Sequence, residues 1–272
     1  MAFWSPDGLR KSRFHDEKGN LVDAGWLWPA AFAFGTAAAK RLFGFRLQRP
    51  MISIRATGQL AAFLRKDFNA VEFGSGMSTP WLAKRCGFLL SVEDHPEWAG
   101  RVRQMLAKLG TADNVRYELR SRETYADLSE FPDGHFHFAL IDGSDRRHCV
   151  RSVLPKMAVG GVIYLDNSDK DAGKIGDLSL AEELLLDTAN SHGWKVRTFT
   201  DFSPTNFFVE QGLLVTVTSA HGGAASQTGL SSDITLSDGR TVTVTGLLAK
   251  HVGEGRHAEV AQLVEDDLRL GA

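Results

Sequence analysis

Short apolar runs alternate with helix-spaced apolar positions through the middle of the chain. Five strands are predicted at 70–73, 88–92, 115–119, 136–141 and 162–165. Most segments between them show helical periodicity, as in the stretch that begins at Pro96 and ends at Gly110. Such alternation of strand and helix is typical of a parallel sheet that is covered by helices.

The last two predicted strands break this alternation. They lie at 194–200 and 213–218, and the residues that join them show no helical spacing. Because parallel neighbours need a crossover, we expect these two strands to run antiparallel to each other. The pattern predicts an α/β fold with a seven-stranded, mostly parallel sheet, helices on both faces and an antiparallel last strand.

The chain continues beyond this sheet at both ends. Residues 1–20 are polar and of mixed charge, which predicts a loosely ordered arm. Ser237–Arg240 separates two short apolar runs and predicts a hairpin, and a short helix is expected at 259–268. A lid, a dimerisation arm and an inert extension are equally open roles for this C-terminal part. The predicted units are an N-terminal arm with a helix (1–50), the sheet domain (51–219) and the extension (220–272).

An uncharged apolar run precedes the sheet domain. It extends from Ala24 to Ala39, and its 16 residues are fewer than the about 20 that cross a bilayer. Pro29 also interrupts it. We expect a helix that packs on the domain or on a partner. The alternative is shallow contact with a membrane surface within residues 24–48.

Composition limits the classes of function. The chain has 272 residues, of which 43% are hydrophobic and 24% charged, as in ordinary soluble globular proteins. Its net charge of -2 argues against a nucleic-acid partner, because phosphate binding normally requires a basic excess. Two cysteines without metal-type spacing favour a reduced, cytoplasmic protein, which would be peripheral to a membrane if the apolar run makes contact.

The stretch with the most chemical content is the glycine turn at 69–79, NAVEFGSGMST. Gly74 and Gly76 allow close approach of the backbone to a ligand, and Thr79 is the expected cap of the following helix. A dinucleotide-binding turn needs a third glycine where Thr79 stands, and the Gly-Lys-Ser/Thr of a P-loop is absent. The turn therefore indicates a nucleotide-like cofactor other than a dinucleotide.

Four motifs in order, VEFGSGMST, SVED, FALIDG and GGVIYLDN, resemble class I S-adenosylmethionine-dependent methyltransferases over about residues 51–218. The resemblance implies a Rossmann-like sheet with a reversed last strand, in agreement with the pattern above. It also implies S-adenosylmethionine as cofactor and a small-molecule methyl acceptor, for which we expect an oxygen atom.

The resemblance further implies the roles of individual residues. Glu93 would accept both ribose hydroxyls with its two oxygens, and Glu72 would lie near the methionine moiety. Asp94 is interpreted as a helix cap. Asp142 would lie near the transferable methyl group or the cofactor amine and is the predicted catalytic residue. The predicted cofactor-binding set is Glu72, Gly74, Gly76, Ser78, Thr79, Glu93, Ser121 and Asp142.

Polar residues end the fourth and fifth predicted strands. Asp142, Asp166 and Asn167 resemble the divalent-metal ligands of catechol and caffeoyl-coenzyme A O-methyltransferases, and such oxygen ligands suit Mg²⁺. Those enzymes carry a lysine three residues after the first ligand, where this chain has Asp145. Magnesium is therefore not favoured, and no metal ligand is predicted.

Other features leave alternatives open. Two histidines, His95 and His148, are candidate general bases, with a helix-face position as the alternative. Few candidate acid–base residues are found beyond Asp142, and the terminal arms are long, which fits a cofactor-binding scaffold in a biosynthetic complex. The arms could also mediate oligomerisation. Residues 24–48 fit a membrane-surface methyltransferase that acts on a lipid or lipid-linked glycan. The acceptor itself cannot be predicted, since substrate pockets in this fold are built from variable loops.

Overall fold

A computed structural model describes residues 10–45, 47–110, 113–221 and 230–270 of the chain. The helices are α1 (Leu27–Phe43), α2 (Ile54–Phe63), α3 (Ser78–Ala83), α4 (Pro96–Leu109), α5 (Arg146–Val153), α6 (Asp177–His192), α7 (Leu247–Gly253) and α8 (His257–Leu270). The strands are β1 (Asn69–Phe73), β2 (Phe88–Glu93), β3 (Val115–Leu119), β4 (Phe136–Ile141), β5 (Met157–Leu165), β6 (Lys195–Phe202), β7 (Val209–Thr216), β8 (Ser231–Thr235) and β9 (Thr241–Thr245).

Seven strands form one sheet in the order β3-β2-β1-β4-β5-β7-β6. Strand β7 runs antiparallel to both β5 and β6, and the other neighbours are parallel. The predicted sheet and its antiparallel last strand are therefore confirmed. The strand order reverses between β1 and β4, and open α/β sheets bind ligands in the crevice at such a point.

Each face of the sheet has its own apolar core, because successive side chains of a strand point to opposite faces. In β1, Ala70 packs with residues of α2 and α3, whereas Val71 and Phe73 pack with residues of α5 and α6. Glu72 shares the face of Ala70 and therefore lies beneath α3. Alternation in one short strand thus decides that this acid is buried under the glycine turn.

Helix α1 packs on the sheet domain through one narrow face. Pro29, Ala30, Ala33, Thr36 and Ala37 are its buried residues. The predicted packed helix is confirmed, although it extends beyond residue 39 to Phe43. Within the described ranges, no helix is long and apolar enough to cross a membrane.

The N-terminal arm differs from its prediction. Residues 1–9 lie outside the described part, but from Arg10 onward the arm is held by charged contacts, not loosely ordered. Arg10 pairs with Glu17 at 3.0 Å, and the backbone N–H of Glu17 donates to Asp169 at 3.1 Å. Polar composition did not mean disorder here, because the loop after β5 supplies matching charges.

The C-terminal extension has its own small core. The predicted hairpin is confirmed as β8 and β9, and the predicted last helix is confirmed as the longer α8. Helix α7 was not predicted. Asp267 of α8 accepts from Arg122 and Arg147 at 2.9 and 2.7 Å, which fastens α8 to the sheet domain. The proposed boundaries at 1–50, 51–219 and 220–272 remain a prediction.

Candidate functional site

A cavity of about 310 Å³ opens at the carboxyl ends of β1, β2 and β4. Its lining consists of Met51, Gly74, Ser75, Gly76, Met77, Ser78, Glu93, Asp94, Trp98, Asp142, Gly143 and Ser144. The position agrees with the crevice expected from the strand order. The polar groups of three neighbouring strands therefore converge on one space.

The structure brings together five of the eight predicted cofactor residues. The five predicted residues that line the cavity are Gly74, Gly76, Ser78, Glu93 and Asp142. Glu72 and Thr79 are fully buried beneath the turn and do not line it. Ser121 is exposed outside this cavity, where it precedes a short 3₁₀ turn. The set thus divides into a lining group, a supporting pair and one outlying residue.

The two predicted glycines have different functions in the turn. Gly74 has φ +91°, and a Cβ built on it would lie 2.6 Å from the Cα of Gly143. It is therefore required by close packing of the β1 turn on the β4 turn, not by a ligand. A Cβ on Gly76 would meet only the Ser78 hydroxyl, at 3.9 Å. Gly76 is the glycine that keeps the cavity wall free of a side chain.

Glu93 holds the turn as well as lining the cavity. Its Oε2 accepts from the backbone N–H and the hydroxyl of Ser75, at 3.1 and 2.8 Å. Its Oε1 accepts from the backbone N–H groups of Asp94 and His95, at 3.1 and 2.9 Å. The carboxylate is 5% exposed, so its orientation is fixed by four donors.

Glu72 forms the supporting layer beneath the turn. Its Oε2 accepts from the hydroxyls of Thr79 and Ser91, at 2.7 and 2.6 Å. Burial raises the pKa of Glu72 to about 7, although nearby hydroxyls oppose the rise. Thr79 accepts in turn from the N–H of Gly76 at 2.9 Å. The expected helix cap at Thr79 was wrong, because α3 begins at Ser78 and Thr79 instead ties the turn to Glu72.

The start of α4 corrects a second prediction. His95 is the residue that caps α4, with its Nδ1 accepting from the Trp98 N–H at 3.4 Å. Asp94 is instead exposed and lines the cavity. Trp98 was not predicted as a site residue, yet its indole N–H donates to the Ser75 carbonyl at 2.7 Å. Its position in the first turn of α4, soon after the acid that ends β2, could have indicated that Trp98 lies at the site.

The chemical end of the cavity contains two neighbouring acids and one guanidinium. The carboxyls of Asp142 and Asp166 are within hydrogen-bonding range of each other. Burial raises the pKa of both groups. The charge of Asp142 raises the pKa of Asp166 further, whereas the hydrogen bond from Asp166 lowers the pKa of Asp142. Arg146 donates to the Asp166 carbonyl at 2.5 Å and approaches Oδ1 of Asp142 at 3.4 Å. Its positive charge lowers the pKa of both acids and offsets part of the effect of burial.

The two candidate histidines lie outside this cavity lining. His148 is 2.5 Å from Asp145 Oδ1 and belongs to a separate cavity of about 410 Å³, beside Arg122 and Asp267. Asp145 has φ +49° at the start of α5. Burial opposes ionisation of Asp145, but the bond from His148 holds the pKa of that carboxyl below its usual range. Within the described residues, no group of three or more His, Cys, Asp or Glu side chains is arranged to bind a metal.

Residues 71–168 match a family model described as a methyltransferase domain. The matched segment begins in β1, ends after β5 and includes Glu93, Asp142 and Asp166. The match to a methyltransferase domain over residues 71–168 confirms the resemblance to class I S-adenosylmethionine-dependent methyltransferases. Gly74 and Gly76 also lie within the matched segment. No curated protein matches the sequence.

Solved structures share the fold of this methyltransferase at low sequence identity. The O-methyltransferase TomG from Streptomyces achromogenes, solved with S-adenosylmethionine, is 19% identical with a TM-score of 0.51, covering 69% of this chain and 89% of its own. A candidate O-methyltransferase from Klebsiella pneumoniae is 18% identical with a TM-score of 0.53, covering 71% and 100%. The tRNA (m1A58) methyltransferase TrmI from Aquifex aeolicus is 17% identical with a TM-score of 0.47, covering 66% and 74%.

Proposed function

We propose that this methyltransferase binds S-adenosylmethionine in the 310 Å³ cavity and methylates an oxygen atom of a small molecule. The observation that carries the proposal is that Glu93, Asp142 and the glycine turn line one cavity. When bound, the cofactor supplies an activated methyl group on a sulfonium, which needs alignment more than further activation. The protein therefore has to bind and orient the cofactor and the acceptor, and to exclude water from them.

The donor set of the cavity fits this cofactor. Glu93 offers two fixed carboxylate oxygens, which suit the two hydroxyls of a ribose. Gly76 leaves backbone accessible where a side chain would enter the cavity. Trp98 contributes an indole to the wall next to Glu93 and is anchored by its bond to Ser75. These groups are assigned to the cofactor, and Glu72 and Thr79 are assigned to holding the turn in shape.

Asp142 is assigned to the acceptor side of the cavity. A carboxyl whose pKa is raised by burial is a better proton acceptor than an exposed one. It would take a hydrogen bond from the acceptor hydroxyl and receive the proton as the methyl group is transferred. Arg146 limits how far the pKa of Asp142 rises, so the carboxyl can be ionised before the acceptor arrives.

Arg146 also bears on the magnesium alternative. Its guanidinium contacts both the Asp142 carboxylate and the Asp166 carbonyl, so a fixed cation already lies at this acid pair. A divalent ion between Asp142 and Asp166 would be repelled by that charge and would have to displace it. We therefore assign a metal-independent reaction, in which Arg146 compensates the negative charge.

The choice of an oxygen acceptor on a small molecule rests on two further supports. The two compared structures with TM-scores above 0.5 are both described as O-methyltransferases, one of them in the synthesis of tomaymycin. The chain as a whole has a net charge of -2, which does not favour nucleic acid. Hydroxyl methylation also matches the proton acceptor that Asp142 provides.

The test uses S-adenosylmethionine labelled in the methyl group and a cell extract separated into small-molecule, lipid, RNA and protein fractions. We expect label in the small-molecule fraction, with mass spectrometry placing the methyl on oxygen. Asp142→Ala should abolish the transfer, and the exposed-site variant Glu97→Gln should retain it. Label in RNA would contradict the acceptor. Cofactor binding without transfer to any fraction would indicate the scaffold.

A further inference from the structure

The outward face of α1 is apolar, although it is exposed. Eight of its nine exposed positions (27, 28, 31, 34, 35, 38, 42 and 43) hold Leu, Trp, Ala, Phe or Gly, and the ninth is Arg41. Trp28, Leu42 and Phe43 are 69, 71 and 80% exposed, and Phe45 just beyond the helix is 57% exposed. A helix that only covers a soluble domain normally presents polar residues outward. Contiguous exposed apolar side chains of this kind mark an interaction surface.

Positive charge is concentrated in the part of the chain that contains this face. Residues 24–66 contain seven Lys and Arg and no Asp or Glu. The other 24 of the 31 cations, and all 33 acids, lie elsewhere in the chain. The chain as a whole has a net charge of -2, so the excess is local. A surface that combines exposed apolar groups with cations complements a surface that is negative outside and apolar inside.

Contacts place several cations beside the helix. Arg49 lies 5.5 Å from the ring centre of Phe32 in α1, and Gln48 accepts from Lys84 at 3.5 Å. Within residues 10–45, 47–110, 113–221 and 230–270, none of the following cations forms a salt bridge: Lys40, Arg41, Arg49, Lys84 and Arg85. By contrast, Arg55 and Arg65 in the same segment pair with aspartates. Lys40 and Arg41 belong to the last turn of α1 itself and are thus available to a partner.

We propose that the outward face of α1, with these cations, docks the protein on an anionic lipid surface. Trp28, Leu42, Phe43 and Phe45 would enter the boundary between headgroups and acyl chains, while the cations contact lipid phosphates. A second copy of the chain fits less well, because a two-fold interface would oppose the same cations. RNA also fits less well. Trp28 and Phe43 offer rings for stacking, but the aliphatic Leu27 and Leu42, 70 and 71% exposed, neither stack on bases nor pair with phosphates.

Docking in this way would bring the cofactor cavity near the lipid surface. The segment after α1 leads directly to Met51, which is 43% exposed and lines the cavity. An acceptor that partitions into the membrane interface could then reach the cavity from that side. Binding to vesicles does not require the cofactor, so failure of this inference leaves the methyl-transfer assignment untouched.

The experiment is co-sedimentation of the full chain with vesicles of phosphatidylcholine alone or mixed with phosphatidylglycerol. We expect binding to the mixed vesicles that weakens strongly when salt rises from about 0.1 M to about 1 M. The double variant Trp28→Ser, Phe43→Ser should lower the bound fraction at least about tenfold. The variant Lys40→Gln, Arg41→Gln should weaken binding to the mixed vesicles only, because it removes charge and keeps the apolar face.

Two matched controls remove an exposed apolar side chain and an exposed cation at sites outside α1. Val159→Ser alters an apolar side chain that is 59% exposed on β5, and Lys108→Gln removes an exposed cation on α4. Both should bind vesicles as the wild type does. Equal loss in the controls, absence of binding to either vesicle, or preferential binding of a single-stranded RNA would overturn the proposal. A wild-type dimer that becomes monomeric in Trp28→Ser, Phe43→Ser would assign the face to self-association instead.

Discussion

The backbone N–H and the hydroxyl of Ser75 both donate to Oε2 of Glu93, at 3.1 and 2.8 Å. Since Oε1 accepts from Asp94 and His95, the four acceptor positions of this carboxylate are occupied by protein donors. A ribose diol would therefore have to take the place of the Ser75 hydroxyl. That hydroxyl has a second partner in Tyr117, at 2.7 Å, to which it can turn.

This relationship predicts that substitutions at Glu93 and at Ser75 change the affinity for the cofactor product to different extents. Glu93→Gln replaces a charged acceptor and should weaken S-adenosylhomocysteine by about 1.5–3 kcal/mol, or about 10–100-fold in Kd. Ser75→Ala removes only the competing hydroxyl, so affinity should change by less than about threefold. Isothermal titration measures both, with Glu97→Gln as an exposed control. Equal weakening by Ser75→Ala and Glu93→Gln would show that the hydroxyl itself binds the cofactor.

The glycine turn predicts a separation of stability from affinity. Gly74→Ala places a Cβ 2.6 Å from the Gly143 Cα at a backbone φ of +91°, so it should lower the melting temperature markedly. Gly76→Ala meets only a hydroxyl at 3.9 Å and should fold normally. It should nevertheless raise the Kd for S-adenosylhomocysteine about tenfold or more, because the methyl enters the cavity. Normal affinity in folded Gly76→Ala would remove Gly76 from the cofactor site.

Burial of Glu72 predicts a pH dependence of stability. The folded pKa of about 7 exceeds the usual 4.5, so the folded chain retains a proton that the unfolded chain loses between these values. Stability should therefore fall as pH rises through this window, and the full cost of about 3 kcal/mol is present above about pH 7. Glu72→Gln should remove this contribution. Denaturant unfolding at pH 5 and pH 8 checks it, and an equal wild-type-to-variant difference at both pH values contradicts it.

Much of the site was predictable from the chain, because buried parallel strands leave continuous apolar runs that end at the ligand edge. Glu93 and Asp142 stand at such ends, and both line the cavity. Glu72 also ends an apolar run, but alternation along β1 turns it beneath α3. Ser121 follows an irregular, exposed segment that carries no periodic signal.

The position of Arg146 was beyond the reach of sequence. Among Arg146, Arg147 and His148, only the rotation of α5 decides which side chain turns back to the sheet. Asp177 fixes that rotation by accepting from the backbone N–H groups of Arg146 and Arg147, at 2.7 and 3.0 Å. The contact between Arg147 and Asp177, which are 30 residues apart in the chain, thus determines that Arg146 lies beside Asp142. The local sequence pattern around Arg146 does not indicate this contact.

Arg146 predicts the response to divalent ions. Wild-type protein should bind no Mn²⁺ below about 1 mM, because the guanidinium already lies against the Asp142 carboxylate and the Asp166 carbonyl. Arg146→Met should gain binding in the submillimolar range. Arg147→Met is the matched control, since Arg147 is similarly buried but contacts Asp267 instead. Paramagnetic resonance of Mn²⁺ counts the bound ion, and tight binding by the wild type would restore the metal-dependent alternative.

S-adenosylmethionine is assigned to the cavity that Gly76, Glu93 and Asp142 line. Isothermal titration of the full chain with S-adenosylhomocysteine tests this assignment most directly, with circular dichroism to confirm folding. We predict one site with a Kd of about micromolar order, weakened in Glu93→Gln and unchanged in Glu97→Gln. No heat of binding in the folded wild type, or equal affinity in Glu93→Gln, would contradict the account.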